Sequence, residues 1–403
     1  MSRCTPIAAL VALAIAAGCE TSDDASPGET ASGSLTAGAS DGSSDTRGAT
    51  NDSVGATDST TSGATDEAGS LSADSGSDDG GATGALEIVG CEPVGAVDTD
   101  GVFSMLSFGG ALVVGQFGYG QEQASMQYAY PPWHKVEPGL RGIGESVCAL
   151  AEFGGWLYAN TENSGDIMRS QDGQSWVTVH DGAAGAIGCD LVAHDGHLYA
   201  VNYNYDSQDH GQILRSADGV AWAPVYDSGP GTSRYLREIA TFKGQLLAFS
   251  VDTSTSQGYV HRSMDGLDWS EAPTPTRFFR SHVWDGDLWL SSTERSSNGA
   301  AGVWRSDGVS FEQVYSATQP YVTELTHWRG ALFAATSAGW KDDVGNASVL
   351  MSADGDAWET VCPQLPELAA WSLAVHDDRL FVGTWEFDVG GSVYEVVAAS
   401  DSE

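Results

Sequence analysis

Charged residues recur at one position of a repeated sequence motif, and carboxylate and guanidinium groups at such a position could bind a ligand. The motif is a short apolar stretch, then an aromatic or histidine residue, then a turn rich in glycine. Four residues before that aromatic or histidine residue, successive repeats carry Ser104, Ala149, Asp190, Glu238, Arg280, Glu324 and Ser372. Several carboxylates beside a guanidinium can bind a polar ligand or act as general acids and bases. We therefore predict a ligand-binding site made of Asp190, Glu238, Arg237, Arg280 and Glu324.

The same residues also fit a purely structural role. Ion-pair networks shift pKa values without any function, and a salt-bridged polar plug would keep a central channel hydrated. The sequence does not separate a plug from a binding site, so both interpretations stay open.

Polar loops between the second and third predicted strands of each repeat add aromatic candidates to the site. Aromatic side chains beside carboxylates suit stacking on a sugar ring, hydrogen bonding to its hydroxyls, or binding a cation. Alternatively these are ordinary solvated loops, since loops are variable and polar by default. The candidate aromatic residues are Tyr203, Tyr205, Trp340 and Trp385.

A second repeated motif, Ser-x-Asp-Gly-x-x-Trp, predicts the elements that position these residues. Its copies recur at intervals of about 45 residues, a period typical of four-stranded propeller blades. Alternating apolar and polar residues and glycine-centred turns indicate strands rather than helices. The aspartates and tryptophans of the motif are Asp172, Trp176, Asp218, Trp222, Asp265, Trp269, Asp307, Asp354 and Trp358, with Phe311 in place of the fourth tryptophan.

These repeats predict an all-β fold, a seven-bladed β-propeller of four-stranded antiparallel blades. The last repeat, Trp371 to Val397, supplies only three strands. The segment LEIVGCEPV, Leu86 to Val94, resembles the fourth strand of the preceding repeat, so we expect it to complete the last blade and close the ring. Closure would also remove free edge strands, which are prone to aggregate.

The Ser-x-Asp-Gly-x-x-Trp motif resembles the Asp-box, or BNR repeat, of sialidases and other propellers, from residue 90 to residue 398. The resemblance implies that each box is a hairpin between the third and fourth strands, on the rim away from the active face. Turn chemistry agrees, because aspartate accepts backbone N–H bonds, glycine allows positive φ and tryptophan is a large apolar anchor. We therefore expect a structural role for the boxes, and ligands at the mouth where the innermost strands begin.

The resemblance to sialidases also raises an enzyme hypothesis. It implies an arginine triad, a Tyr–Glu nucleophile pair, an Asp acid and a Phe-Arg-Ile-Pro-like motif, and this last motif is missing from the sequence. We favour a protein that binds a glycan or protein at its central mouth without catalysis. The alternative is a sialidase-like or other glycoside hydrolase acting on extracellular glycans, with Glu238 and Glu324 as its two carboxylates.

The N-terminal residues predict export and lipid anchoring. The apolar run from Ile7 to Ala17 is too short to span a membrane and has the form of a signal peptide. The sequence Ala-Ala-Gly-Cys ending at Cys19 resembles the bacterial lipobox, which implies a signal peptide over residues 1–18 and lipidation of Cys19. The alternative is an ordinary signal peptide cut after Ala16. We expect an exported bacterial lipoprotein, membrane-anchored in the periplasm or at the cell surface.

Residues 19–85 predict a disordered acidic tether, because serine, threonine, glycine and aspartate dominate and aromatic residues are missing. The propeller is expected over residues 86–400. The net charge of −38 argues against nucleic-acid binding. We expect a monomer whose partners are the membrane, through Cys19, and a glycan or envelope protein. No motif predicts a cofactor or a metal site, and nothing beyond the acidic charge points to a divalent cation.

The cysteine count predicts disulfides in the propeller. Two of the six cysteines belong to the N-terminal segment, which leaves Cys91, Cys148, Cys189 and Cys362. An even number in an exported protein favours two bridges, and three connectivities are open. Cys148 and Cys189 occupy equivalent positions on neighbouring innermost strands, and Cys91 and Cys362 occupy equivalent positions on fourth strands. We therefore predict the pairs Cys148–Cys189 and Cys91–Cys362.

Overall fold

The computed structural model describes residues 86–97, 99–118, 126–129, 134–135, 146–162, 164–182, 185–204, 209–293, 301–339, 346–386 and 390–399. The predicted signal peptide, Cys19 and the predicted tether lie outside the described residues. Two of the candidate aromatic residues, Tyr205 and Trp340, also lie outside them.

The described elements are β-strands that pair antiparallel in sets of four. The first three sets comprise β2 (Gly101–Phe108), β3 (Ala111–Phe117), β4 (Met126–Ala129) and β5 (His134–Lys135); β6 (Val147–Phe153), β7 (Trp156–Thr161), β8 (Ile167–Ser170) and β9 (Val177–His180); and β10 (Ala186–His194), β11 (His197–Asn204), β12 (His210–Ser216) and β13 (Ala223–Asp227).

The remaining sets continue in chain order, except that the last one recruits a strand from the beginning of the domain. Three sets comprise β14 (Arg234–Phe242), β15 (Gln245–Asp252), β16 (Gly258–Ser263) and β17 (Ser270–Pro273); β18 (Phe278–Trp284), β19 (Asp287–Ser292), β20 (Gly302–Ser306) and β21 (Phe311–Ser316); and β22 (Tyr321–Trp328), β23 (Ala331–Ser337), β24 (Ala347–Ser352) and β25 (Glu359–Leu365). The last comprises β26 (Ala369–His376), β27 (Arg379–Trp385), β28 (Ser392–Ala398) and β1 (Ile88–Ala96), which pairs with β28.

The first strand of each set is innermost. Each innermost strand contacts the innermost strand of the next set, in chain order from β2 to β26, and β26 contacts β2. Four-stranded antiparallel sheets arranged in this way form a β-propeller, which confirms the predicted all-β propeller of four-stranded sheets.

Burial decreases from the axis to the rim, which explains the composition of the strands. The second strand of a set is covered by sheets on both faces, so β23 and β27 are apolar and almost completely buried. Fourth strands such as β13 are half exposed and more polar. The hairpin between first and second strands is tight. In the third set, for example, Asp195 and Gly196 have φ of 44° and 68°, as a type I′ turn requires.

The turns between third and fourth strands carry the Ser-x-Asp-Gly motif. Asp172 Oδ1 accepts backbone N–H bonds from Gln174 and Ser175, at 2.8 and 2.7 Å. These bonds lower the pKa of Asp172 to about 2. The aspartates at positions 218, 265, 307 and 354 accept the equivalent pair of bonds. Each of these carboxylates is therefore occupied by its own turn.

The glycine of the motif allows neighbouring sheets to approach closely. A Cβ atom on Gly219 would lie 1.8 Å from the hydroxyl of Tyr158, and one on Gly266 would lie 1.9 Å from the hydroxyl of Tyr199. Both tyrosines belong to the second strand of the preceding set. The motif therefore contributes to packing between sheets as well as to the turn itself.

The structure confirms one predicted disulfide. Cys91 on β1 and Cys362 on β25 are bonded, with their Cα atoms 5.6 Å apart. The bridge links the outermost strands of the last two sets.

The other predicted disulfide, Cys148–Cys189, is wrong, because both cysteines are free and buried. Their side chains pack in different clusters, Cys148 with Phe103 and Phe279, and Cys189 with Tyr199 and Tyr235. The Cys189 thiol donates to the Tyr235 hydroxyl at 3.6 Å. The two cysteines occupy equivalent positions on neighbouring innermost strands, but these positions do not bring their sulfur atoms together in a disulfide.

No helix in the described part of the chain is long and apolar enough to cross a membrane.

Removing the Cys91–Cys362 bridge should destabilise the propeller. The bridge spans 271 residues of sequence, and closing so long a loop restricts the unfolded chain, with a typical effect of about 2–5 kcal/mol. We expect Cys91→Ser to lower the midpoint of thermal or denaturant unfolding. Reductant should lower the wild-type midpoint in the same way and leave that of Cys91→Ser unchanged. An equal effect of reductant on both proteins would contradict this assignment.

Candidate ligand-binding cavity

A β-bulge interrupts every described innermost strand at the same point. In six of the seven ladders between first and second strands, one residue of the innermost strand has no opposite partner, and in β18 two residues, Phe279 and Arg280, have none. The two residues of a bulge oppose one partner residue, so the bulge re-aims the side chains around it. The bulged residues are Phe103, Cys148, Cys189, Arg237, Phe279, Thr323 and Trp371.

The residues that follow the bulges line a cavity of about 320 Å³ on the axis. Four of the five predicted charged residues meet there. Its polar lining is Ser104, Asp190, Glu238, Thr241, Arg280, Ser281, His282, Glu324 and Ser372. Counting in register from the glycine turns thus predicted this cluster.

The sequence predicted a site where the innermost strands begin. The cavity lies at the other end of these strands. Its lining follows the second halves of these strands, for example from Glu238 to Thr241 on β14 and from Arg280 to Val283 on β18. Because the strands alternate in direction, this is the same end as the Ser-x-Asp-Gly turns. Three of the bulged side chains pack together, with ring centroids 5.0 Å apart for Phe103 and Trp371 and 5.4 Å apart for Phe279 and Trp371.

Two of the three carboxylates are engaged by the backbone of their own or the next sheet. Asp190 accepts from the N–H groups of Leu191 and Ile239, at 2.8 and 3.0 Å. Glu238 Oε1 accepts from the N–H and the hydroxyl of Ser281, at 2.9 and 2.6 Å. Glu238 Oε2 accepts from Arg280 Nη1 at 3.1 Å. These contacts join β10 to β14 and β14 to β18.

Glu324 is the carboxylate with a free oxygen. Its Oε1 accepts from the N–H of Leu325 at 3.0 Å. Its Oε2 has no hydrogen-bond donor among the described residues and lies 3.7 Å from Arg280 Nε. Burial raises the pKa of Glu324 to about 7; Arg280 opposes this shift and Glu238 adds to it. Glu324 therefore faces the cavity with one carboxylate oxygen available.

Charge in the cavity is unbalanced toward acid. Burial raises the pKa of Asp190 well above its ordinary value, and the neighbouring Glu238 raises it further. Burial alone would lower the pKa of Arg280, but Glu238, Glu324 and Asp190 outweigh it and raise the pKa. Arg280 is therefore a permanent cation surrounded by three carboxyl groups.

A histidine pair borders the cavity. His282 lines it, and its Nε2 lies 2.7 Å from Nδ1 of the exposed His327. Burial and the neighbouring His327 lower the pKa of His282 to about 4. His282 is therefore neutral at physiological pH and can donate or accept a hydrogen bond. His282, His327 and Ser281 were not predicted from the sequence, because the position of His282 is mostly apolar in the other repeats and the prediction rested on the position two residues earlier.

Arg237 does not line this cavity. Its guanidinium stacks on Phe279, 3.6 Å from the ring centroid, and donates to the Tyr235 hydroxyl at 3.3 Å. The sequence predicted that Arg237 joins the four charged residues. Arg237 is instead the bulged residue of β14 and lies outside the lining of the cavity, whereas Glu238 is part of it. Arg234, at the start of β14, is paired with Asp252 and Glu271.

Two of the aromatic residues predicted to contact a ligand are buried and do not line this cavity. Trp385 is completely buried and packs against Trp371 and Phe117, at centroid distances of 5.8 and 6.4 Å. Tyr203 is buried edge-on against Tyr235 and donates to Asp209. Both residues belong to second strands rather than to the loops that follow, which explains their burial.

Among the described residues, no group of three or more His, Cys, Asp or Glu side chains is placed to hold a metal ion.

The comparisons with known proteins support the fold alone. No protein-family model matches the sequence, and no curated protein sequence matches it. A streptogramin B lyase structure is similar with a TM-score of 0.57 at 10% identity, covering 76% of this chain and 97% of that one. A catalytically inactive His→Ala variant of virginiamycin B lyase from Staphylococcus aureus, solved with quinupristin, gives 0.56 at 13% identity, covering 76% and 99%. These similarities show that the chain has the fold of a β-propeller.

The raised pKa of Glu324 predicts a pH-dependent stability difference. Between its ordinary pKa of 4.5 and its folded value of about 7, the folded protein binds more protons at this site than the unfolded chain. Raising the pH through this window therefore costs the wild type stability. We expect Glu324→Gln to gain in melting temperature relative to the wild type as the pH rises from 4.5 to about 7.

A matched control is Glu359→Gln, which neutralises an exposed acid on β25. The melting-temperature difference between this variant and the wild type should not change across the same window. A difference for Glu324→Gln that is equally constant would contradict the assigned protonation.

Proposed function

We propose that this chain is a ligand-binding propeller that holds a hydroxylated ligand, such as one sugar unit of a glycan, in the axial cavity without transforming it. The observation that carries the proposal is Glu324 Oε2, which accepts no hydrogen bond from the described residues and faces a polar cavity beside Arg280 and His282. A cavity of about 320 Å³ is within the range of small-molecule sites.

The donors and acceptors around the cavity support a hydroxylated ligand. Glu324 Oε2 is an acceptor, neutral His282 can donate or accept, and the permanent guanidinium of Arg280 is a donor. Sugar hydroxyls donate and accept at once, so they match such a mixed set. The excess of carboxylates over arginines disfavours an anionic ligand at this position.

The engagement of Glu238 supports binding over glycoside hydrolysis. A hydrolase of the two-carboxylate type needs one free carboxylate as nucleophile or base and one carboxylic acid. Both oxygens of Glu238 are already hydrogen-bonded, to Ser281 and Arg280. Glycoside hydrolysis at Glu238 and Glu324 is the alternative that the experiment below tests.

We also propose the architecture that presents this cavity. It is a seven-bladed ring, supported by the sets of four strands, the pairing of β1 with β28 and the contact between β26 and β2. The Ser-x-Asp-Gly turns are assigned as Asp-boxes because of their shared hydrogen bonds. The ring is a monomer attached by the acidic segment to a lipid on Cys19, and it faces a glycan of the envelope or the surroundings. We assign it no cofactor.

Glycan binding should depend on Glu324. We expect Glu324→Gln to weaken binding at least about tenfold, because loss of a hydrogen bond to a charged group costs about 1.5–3 kcal/mol. The measurement is a glycan array with the wild type, then calorimetric titration of the best glycan. Glu359→Gln is the matched control and should bind like the wild type.

A glycosidase panel run on the same proteins separates the two candidate functions. Turnover of any glycan by the wild type that disappears in Glu324→Gln would establish the hydrolase and overturn the binding proposal. Equal glycan binding by Glu324→Gln and the wild type would show that the axial cavity is not the binding site.

Membrane attachment should depend on Cys19. We expect Cys19→Ala to abolish incorporation of labelled fatty acid in a bacterial host and to move the protein from the membrane to the soluble fraction, since a lipid-linked cysteine is the proposed anchor. Cys91→Ser, a cysteine replacement in the propeller, should leave labelling intact. Retained labelling in Cys19→Ala would contradict the anchor.

A further inference from the structure

Among the described residues, Arg237 is a buried cation without an acidic partner. It exposes only 9% of its surface. Its Nε has no hydrogen-bond partner in the structure as described, and its Nη1 donates only to the neutral hydroxyl of Tyr235 at 3.3 Å. No ion pair to Arg237 occurs among the residues that the structure covers. By contrast Arg280, on the next innermost strand, has Glu238 at 3.1 Å and Glu324 at 3.7 Å.

The neighbours of Arg237 do not supply the missing charge. The titratable groups that act on Arg237 are Tyr235, Arg280, Cys189 and Cys148, in decreasing order of their effect on its pKa. Burial raises the pKa of Cys189 to about 12 and that of Tyr235 well above its ordinary value. Both are neutral at physiological pH. Burial lowers the pKa of Arg237 itself, from an ordinary value so high that the guanidinium stays charged.

Such an arrangement is costly unless something else compensates it. Removing a guanidinium from water is strongly unfavourable when no counter-charge replaces the solvent. The ring of Phe279 under the guanidinium offsets part of this cost. It leaves the edge of the guanidinium, with the unpaired Nε–H, without an acceptor. A small anion in contact with that edge would satisfy both the charge and the donor.

The position of Arg237 separates such a site from the carboxylate cavity. Arg237 is the bulged residue of β14 and is missing from the lining of that cavity, whereas the next residue, Glu238, is part of it. The acids of the cavity would repel an anion, whereas the groups in contact with the Arg237 guanidinium are the ring of Phe279 and the hydroxyl of Tyr235.

We propose that Arg237 anchors a binding site for a small monovalent anion on the propeller axis, separate from the cavity at Glu324. The ligand is a halide or the carboxylate group of a small molecule, held by the Nε–H and the free edge of the guanidinium. This site does not depend on the function proposed for the cavity.

The test is the anion dependence of thermal stability. The full-length protein is melted in sodium chloride, in sodium acetate, and in sodium HEPES of equal ionic strength, whose anion is too large for a site so deeply buried. Ligands that bind only the folded state raise the melting temperature. We expect chloride or acetate to raise the melting temperature by about 2–4 °C relative to HEPES. A larger effect of acetate identifies a carboxylate ligand, and a larger effect of chloride identifies a halide.

We expect the melting temperature of Arg237→Met not to rise with chloride or acetate, because methionine fills the space over Phe279 but carries no charge. Arg305→Met, which removes a surface arginine paired with Glu312 and Asp356, should keep the rise. Equal rises in the wild type and Arg237→Met would overturn the proposal, as would the same melting temperature in all three salts for the wild type.

A measurement on the wild type keeps the proposal testable if Arg237→Met does not fold. Crystals grown in sodium bromide should show anomalous density within hydrogen-bond distance of the Arg237 guanidinium. Bromide or acetate density at surface arginines but not at Arg237 would overturn the proposal.

Discussion

Neighbouring innermost strands do not pair with each other through their backbones in the described structure, so side chains join these strands, in addition to single backbone bridges between sets such as Gly101–Trp385 and Ser337–Ala369. Asp190 accepts the N–H of Ile239, and Glu238 accepts the N–H of Ser281. Around the rest of the axis hydroxyl groups serve the same purpose, as in the bond from Ser104 to the carbonyl of Val147 and that from Thr323 to the carbonyl of Ala370. These bonds satisfy buried backbone groups, which need partners.

This constraint determines what remains for a ligand. An acid at the axis that satisfies a neighbouring N–H is no longer free to accept from a substrate, so most of the charge at the axis belongs to the fold. Glu324 differs from Asp190 and Glu238 because its second oxygen makes no such bond. The interpretations of the cluster as a polar plug and as a binding site are therefore both supported, for different members of the same set.

Much of the fold and of the charged cluster at the axis was predictable from the period of the sequence repeat. A fixed distance from each glycine turn places Asp190, Glu238 and Glu324 in register, because every blade repeats the same hairpin. The β-bulges were beyond prediction, since no residue type marks them: the extra residue is Arg237 in one strand and Cys189 in another. Without the bulge, neither the separation of Arg237 from Glu238 nor the divergence of the two free thiols follows. The burial of Trp385 was missed because β27 extends one residue farther than its apolar pattern.

The position of Cys91 has a mechanical consequence. Tension applied to the chain ahead of Ile88 would act first on β1, the outermost strand of the last set, and would tend to peel it from β28 one residue at a time. Only the first few pairs, beginning with Ile88 and Ala398, precede Cys91. Beyond them the load passes through the covalent bond to β25 in the adjacent sheet, so that peeling stops and the force is shared between two blades.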